Sequence, residues 1–162
     1  MTGPDAAATA PQTPAAFADW VRPEVDRMTR LAARLAPESE RDDIVQEALV
    51  RAWQKRGQFD PSRGTAAAWL LAITADRARQ RHRPAIGLGQ LPGRVRSADD
   101  RVDVEFAISQ LPPRQRLAVD CFYFVGLSVA ETAAVMRCAE GTVKSTLSDA
   151  RQRLRPLLEV PE

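Results

Sequence analysis

The stretch 126–158, GLSVAETAAVMRCAEGTVKSTLSDARQRLRPLL, constrains this chain more than any other. Ser128 is a strong N-cap, and Glu131 three residues on gives the spacing of a capping box. Ala130, Ala133, Ala134 and Met136 follow at helical spacing, and a short break falls near residues 137–139. A second helix from about Glu140 carries Val143, Leu147, Ala150 and Leu154 on one face. Its other face carries Glu140, Lys144, Ser145, Ser148 and Arg151. A short helix, a tight turn and a longer helix with a polar outer face make a helix-turn-helix. In that motif the second helix enters the DNA major groove. An ordinary helical hairpin with a solvated outer face has the same pattern, so geometry alone leaves both readings open.

The rest of the chain reads as helical too. Ala, Leu and Arg abound, aromatics make up 6%, and alternating β-branched runs are almost absent, which predicts an all-α fold. A length of 162 residues suits one or two small domains. The net charge of +2 is unevenly spread: −4 over residues 1–50, +7 over 51–101 and −1 over 102–162. A basic block in mid-chain is the electrostatic footprint of a nucleic-acid binder, although a solvated Arg-rich helix beside a charged linker would give the same count. Cys121 and Cys138 with the one distant His82 do not make a zinc site, and small buried apolar roles suit both thiols. No apolar run approaches the ~20 residues that span a bilayer, and the N-terminus lacks the regions of a signal peptide. A soluble cytoplasmic protein with reduced thiols, no membrane insertion and no cofactor is expected.

Residues 1–14, rich in Ala, Thr, Pro and Gln, read as a disordered tail. Phe17, Trp20, Val21, Val25, Met28, Leu31, Ala32 and Leu35 then follow at helical spacing, with a break at Pro23 and a stop at Pro37. Residues 39–56 predict the clearest helix, with Ile44, Val45, Ala48, Leu49, Ala52 and Trp53 in one stripe. Asp42, Asp43, Gln46, Glu47, Val50, Arg51, Gln54 and Lys55 lie on its other side. Asp43 and Glu47 stand four apart, but no histidine or nucleophile accompanies them, so neither metal nor acid–base chemistry is indicated. Residues 57–64 form a turn-rich loop in which Phe59 is expected to anchor to the core. A helix over 65–83 points Trp69, Leu70 and Ile73 inward and carries Arg77, Arg79, Arg81 and Arg83, more cations than a helix C-terminus needs and suited to a phosphate track. Residues 84–99 read as a linker. Beyond it, a helix over roughly 100–111 should bury Val104, Ala107, Ile108 and Leu111. A second, starting at Pro113, should carry Leu117, Ala118, Cys121, Phe122 and Phe124 and end at Gly126.

With these segments placed, the chain resembles the extracytoplasmic-function (ECF) group of bacterial sigma factors from residue 15 to 158. Two stretches carry the resemblance. DDIVQEALVRAWQKRGQFDPSRGTAAAWLLAITADRARQRHR, residues 42–83, is similar to the family's D-[LI]-V-Q-E start, F-D-P-x-R-G loop and A-W-L helix. LPPRQRLAVDCFYFVGLSVAETAAVMRCAEGTVKSTLSDARQRL, residues 111–154, is similar to its L-P-x-x-x-R, G-L-S-x-x-E-x-A and C-x-x-G-T-V-K-S motifs. The resemblance implies two small helical domains on a flexible linker: domain two over 15–84, linker 85–99 and domain four over 100–160.

It also implies the partners: core RNA polymerase, promoter DNA and an anti-sigma factor. Asp42, Asp43, Gln46 and Glu47 match the docking motif for the polymerase clamp. Phe59, Arg63, Thr65, Asp76, Arg77, Arg79, Gln80 and Arg83 would serve −10 recognition and strand opening. Thr142, Lys144, Ser145, Ser148 and Arg151 would face the −35 duplex. No catalysis is implied.

The chain departs from the family pattern at Arg137, where Gly is usual, at Asp76, where Asn is common, and over 146–149, which read Thr-Leu-Ser-Asp where the family often has Arg-Leu-His-Arg, so that Thr146 and Asp149 stand in place of arginines. The departures at Arg137, Thr146 and Asp149 motivate a docking protein with weak DNA binding as one alternative. A plain helix-turn-helix regulator is another, since G-T-V-K-S occurs there too.

Overall fold

A computed structural model of the chain describes residues 9–81 and 100–158, with side chains of the second span from Val104 onward. Every regular element among them is helical. The first half runs α1 (Pro14–Val21), a 3-10 turn (Arg22–Glu24), α2 (Val25–Leu35), α3 (Glu38–Gln54), a 3-10 turn (Arg56–Gln58) and α4 (Ala66–Arg81). The second half runs α5 (Asp100–Ser109), α6 (Pro113–Val119), a π-helical turn (Asp120–Val125), α7 (Val129–Met136) and α8 (Glu140–Leu158). The linker 85–99, residues 1–8 of the tail, His82 and Arg83 lie outside the described residues. The helix over 14–21 opens one residue inside the expected tail: Thr13 caps it and Ala10 is buried.

Local chemistry explains most boundaries. Pro23 turns α1 into α2 through a 3-10 turn, because its missing N–H cannot continue an α-helix. The Thr65 hydroxyl accepts from the Ala68 N–H at 3.1 Å and so caps α4. At α7 the capping box is complete: the Ser128 hydroxyl accepts from the Glu131 N–H, and the Glu131 carboxylate accepts from the Ser128 N–H, both at 3.1 Å. Gly126 closes the π-turn at φ 78°, a left-handed backbone that favours glycine.

Two buried clusters result. In the first, Met28, Leu31, Ile44, Ala48, Leu70 and Leu71 hold α2, α3 and α4 together, and Cys121, Val125, Leu127 and Val135 of the second half complete it. The second cluster, with Ile108, Leu111, Val119, Met136, Val143 and Leu147, ties α5, α6, α7 and α8. The two halves therefore pack on each other through α4 against α7 and α2 against the π-turn. The π-turn makes this two-sided packing possible. Cys121 O accepts from both Gly126 N–H and Leu127 N–H, and the widened turn aims Cys121 and Val125 at the first half while Val119 serves the second cluster.

Two inward assignments are corrected by this packing. Phe124 is exposed, because the extra residue of the π-turn rotates it outward, where the Arg34 guanidinium covers its ring at 4.0 Å. Val104 is exposed as well, lying at the edge of the α5 stripe that Ala107, Ile108 and Leu111 bury. Ala130 faces solvent, while Ala133 and Met136 are buried together with Thr132 and Val135.

Candidate nucleic-acid and protein interfaces

The α3 stripe of Ile44, Val45, Ala48 and Ala52 is buried, which turns Asp42, Asp43, Gln46 and Glu47 outward. This carboxylate surface is not free, however. Arg81, at the end of α4, pairs with Glu47, lies 3.5 Å from Asp43 and 3.8 Å from Glu40. One cation thus gathers three carboxylates of α3, a cross-helix pairing that sequence spacing does not reveal. Beside them a shallow hollow of about 380 Å³ is lined by Gln46, Glu47, Val50, Arg51, Gln54 and Arg77. Val50 is 56% exposed there, an apolar group amid polar ones. An exposed mixed surface of this kind suits protein docking, with charge supplying orientation and rate.

The −10 candidates separate into three groups. Arg63 and Thr65 are exposed and line an open groove of about 980 Å³ whose far wall is the helix-turn-helix, at Ser128, Glu131, Arg137 and Glu140. Asp76, Arg77, Arg79 and Gln80 stand on α4, with Gln80 exposed and Arg77 half-buried. Asp76 and Arg79 are engaged: Arg79 pairs with Asp76 at 2.7 Å and also donates to the Val135 carbonyl, while Asp76 accepts from Arg137. Phe59 does not belong with them. It is only 8% exposed and packs edge-on against Trp20 and tilted against Trp69, at 5.4 and 5.5 Å between ring centroids. Its role is the anchor of the loop; in this structure it displays no surface to a base. Arg83 lies outside the described residues.

On α8 the apolar stripe of Val143, Leu147 and Ala150 is buried, so Thr142, Lys144, Ser145 and Arg151 point to solvent and Ser148 is half-buried. The Ser145 hydroxyl donates to the Thr142 carbonyl at 3.0 Å, and Arg151 donates to the Tyr123 hydroxyl at 3.1 Å. Asp149 is exposed on the same helix. The turn before it has Arg137 at φ 54° and ψ 50°, a left-handed backbone occupied here by a residue other than glycine.

The contact between the halves is lined with charge. Arg27 of α2 pairs with Glu131 of α7. Arg34 pairs with Glu105 at 2.8 Å, and its Nε donates to buried Asp120 at 2.8 Å. Burial pushes the Asp120 carboxyl above its ordinary value, against the pull of Arg34. Burial also raises Glu131, but bonds from Ser128 and the pairing with Arg27 outweigh it and hold that carboxyl below its usual range. Cys121, buried among these contacts, has its thiol pushed up to about 12. Among the described residues no cluster of His, Cys, Asp and Glu could hold a metal ion, and no helix is long and apolar enough to cross a membrane.

Comparison with known proteins matches both halves. The Sigma-70 region 2 family matches residues 20–85, and the Sigma-70, region 4 family matches residues 101–154. The ECF RNA polymerase sigma factor SigL of Mycobacterium tuberculosis is 33% identical over 144 residues, spanning 80% of this chain and 81% of its own. SigC of the same species is 35% identical over 137 residues, or 77% and 74% of the two chains. Among solved structures, CnrH in complex with the cytosolic domain of CnrY superposes with a TM-score of 0.68 at 28% identity, covering 90% of this chain and 89% of that one. RpoE of Bartonella quintana in complex with the anti-sigma factor NepR gives 0.66 at 27% identity, covering 90% and 98%. With both halves matched in order and a third of the residues shared along four-fifths of SigL, this chain belongs to the ECF RNA polymerase sigma factors.

Proposed function

We propose that this sigma factor divides its work between two bodies: residues 15–84 grip core RNA polymerase and open the −10 element, and residues 100–160 hold the −35 duplex. The observation that carries this reading is the pairing, in one chain, of an exposed carboxylate face on α3 with a helix-turn-helix whose outer face is polar and open to solvent. Asp42, Asp43, Gln46 and Glu47 form the polymerase contact, with Val50 as its apolar centre and Arg81 setting the positions of the carboxylates. Arg63, Thr65, Arg77, Arg79 and Gln80 follow the −10 strand backbone, where unstacked bases need protein platforms. Thr142, Lys144, Ser145, Ser148 and Arg151 meet the −35 element.

The chain performs no chemistry itself and acts in the cytoplasm, where its polymerase is. CnrH and RpoE were each solved with a bound partner. An anti-sigma protein seated against both bodies is the matching expectation here.

The deciding experiment is run-off transcription with purified core polymerase and a genomic fragment library. Discrete promoter-dependent transcripts that vanish with Asp42→Lys support the reading. Failure of the chain to associate with core polymerase at any salt concentration sinks it.

A further inference from the structure

We propose that Asp76 and Arg137 form an interdomain latch, which keeps the free chain closed and withholds the DNA-reading half of α4 until the two bodies part. The proposal rests on the functional reading above for what is withheld, but not for the latch itself.

Three observations converge. First, α4 packs directly on α7, and two polar groups in the reading half of α4, Asp76 and Arg79, are engaged with the other body. Arg137 pairs with Asp76, Asp76 also pairs with Arg79 at 2.7 Å, and Arg79 donates to the Val135 carbonyl in the last turn of α7. Second, each partner of the pair is locally unfavourable on its own. Arginine strains a left-handed turn that glycine would fill without cost, and a carboxylate on a phosphate-facing helix repels DNA. Neither makes sense alone. Together they give the turn a charged arm and give α4 its receptor. Third, the closed form cannot read a promoter. Elements named −10 and −35 are centred about 25 base pairs apart, roughly 85 Å at a rise of ~3.4 Å per base pair. Packed helices lie only about 8–10 Å axis to axis. Reading both elements on one duplex therefore requires α4 and α7 to separate, and the Asp76–Arg137 pair must break.

The molecule carries its own reporter of opening. Cys121 is fully buried, and it sits in the cluster that joins the halves, beside Val125, Leu127 and Val135. Parting of the bodies exposes it. The test is the rate at which a maleimide modifies Cys121 in the isolated full-length chain, in a Cys138→Ser background, read peptide by peptide by mass spectrometry. Arg137→Glu and Arg137→Gly should each speed modification about two- to five-fold, the size of a half-exposed ion pair's effect on an equilibrium. The reciprocal pair Arg137→Glu with Asp76→Arg should return the rate to near that of the parent.

Arg137→Gly guards against misfolding, because it keeps the turn and removes only the arm. Unchanged rates in both Arg137 variants overturn the latch, as does a reciprocal variant faster than either single one. So does a parallel rise in hydrogen exchange of the α3 amides, which would assign the exposure to global unfolding. Since no polymerase is present, a negative result leaves the sigma reading intact, and loss of polymerase binding leaves the latch intact.

Discussion

Two demands conflict at Arg137: the turn wants glycine and the interdomain pairing wants a cation. The comparison of two truncations separates them. Arg137→Gly and Arg137→Ala both lose the pair with Asp76, but only glycine relaxes the backbone at φ 54°. The glycine variant should therefore be more stable than the alanine variant by about 1 kcal/mol in denaturant unfolding. Glu131 carries a double load of another sort, since one carboxylate caps α7 and also pairs with Arg27 of the other half. Its folded-state pKa is lowered, so the stability it contributes is complete above the ordinary carboxylate range, near pH ~4.3, and fades as pH falls through the depressed value. Glutamine at this position still suits a capping box. The stability gap between the parent and Glu131→Gln should thus be present at about pH 6 and shrink toward pH ~3, measured by thermal unfolding. Arg34 is the partner of a buried carboxylate, Asp120, and Arg34→Leu should cost about 3 kcal/mol by stranding it.

Among the elements, the loop between α3 and α4 shows how a candidate can change its role. Phe59 is held among Trp20 and Trp69, so Phe59→Ala should destabilise the first half by about 3–5 kcal/mol in a melting experiment rather than weaken DNA contact selectively. The anchoring was legible in the sequence, because a lone aromatic in a polar loop has few places to go. The helix-turn-helix was legible for a similar reason: Ser128, Glu131 and Gly126 act through neighbours three to five residues away. So did the break at Pro23. What escaped were features set by distant partners. The π-turn at Asp120–Val125 exists because one segment must feed two clusters, and no local spacing announces that. Arg81, by its spacing one cation of a phosphate track, lies across three α3 carboxylates. The packing of α4 on α7 is not legible in the sequence, since small residues such as Ala68, Ala75 and Ala78 fit a helix interior and an interface equally well.

At the scale of the whole molecule, the two proposed DNA faces differ in availability. The outer face of α8 is open, with Lys144 exposed and Arg151 held only by Tyr123. Lys144→Ala and Arg151→Ala should each weaken −35 duplex binding and reduce the slope of log affinity against log salt by about 1, measured by fluorescence anisotropy across a salt series. Deletion of a phosphate contact acts alike on all sequences, and so does the work of prying α4 from α7. Apparent affinity for a whole promoter is scaled by the fraction of molecules already open, whichever promoter is being read. A seam between the halves is thus a volume control rather than a tuning dial. Mutations that loosen it would raise transcription from strong and weak promoters by the same factor, leaving their rank order untouched.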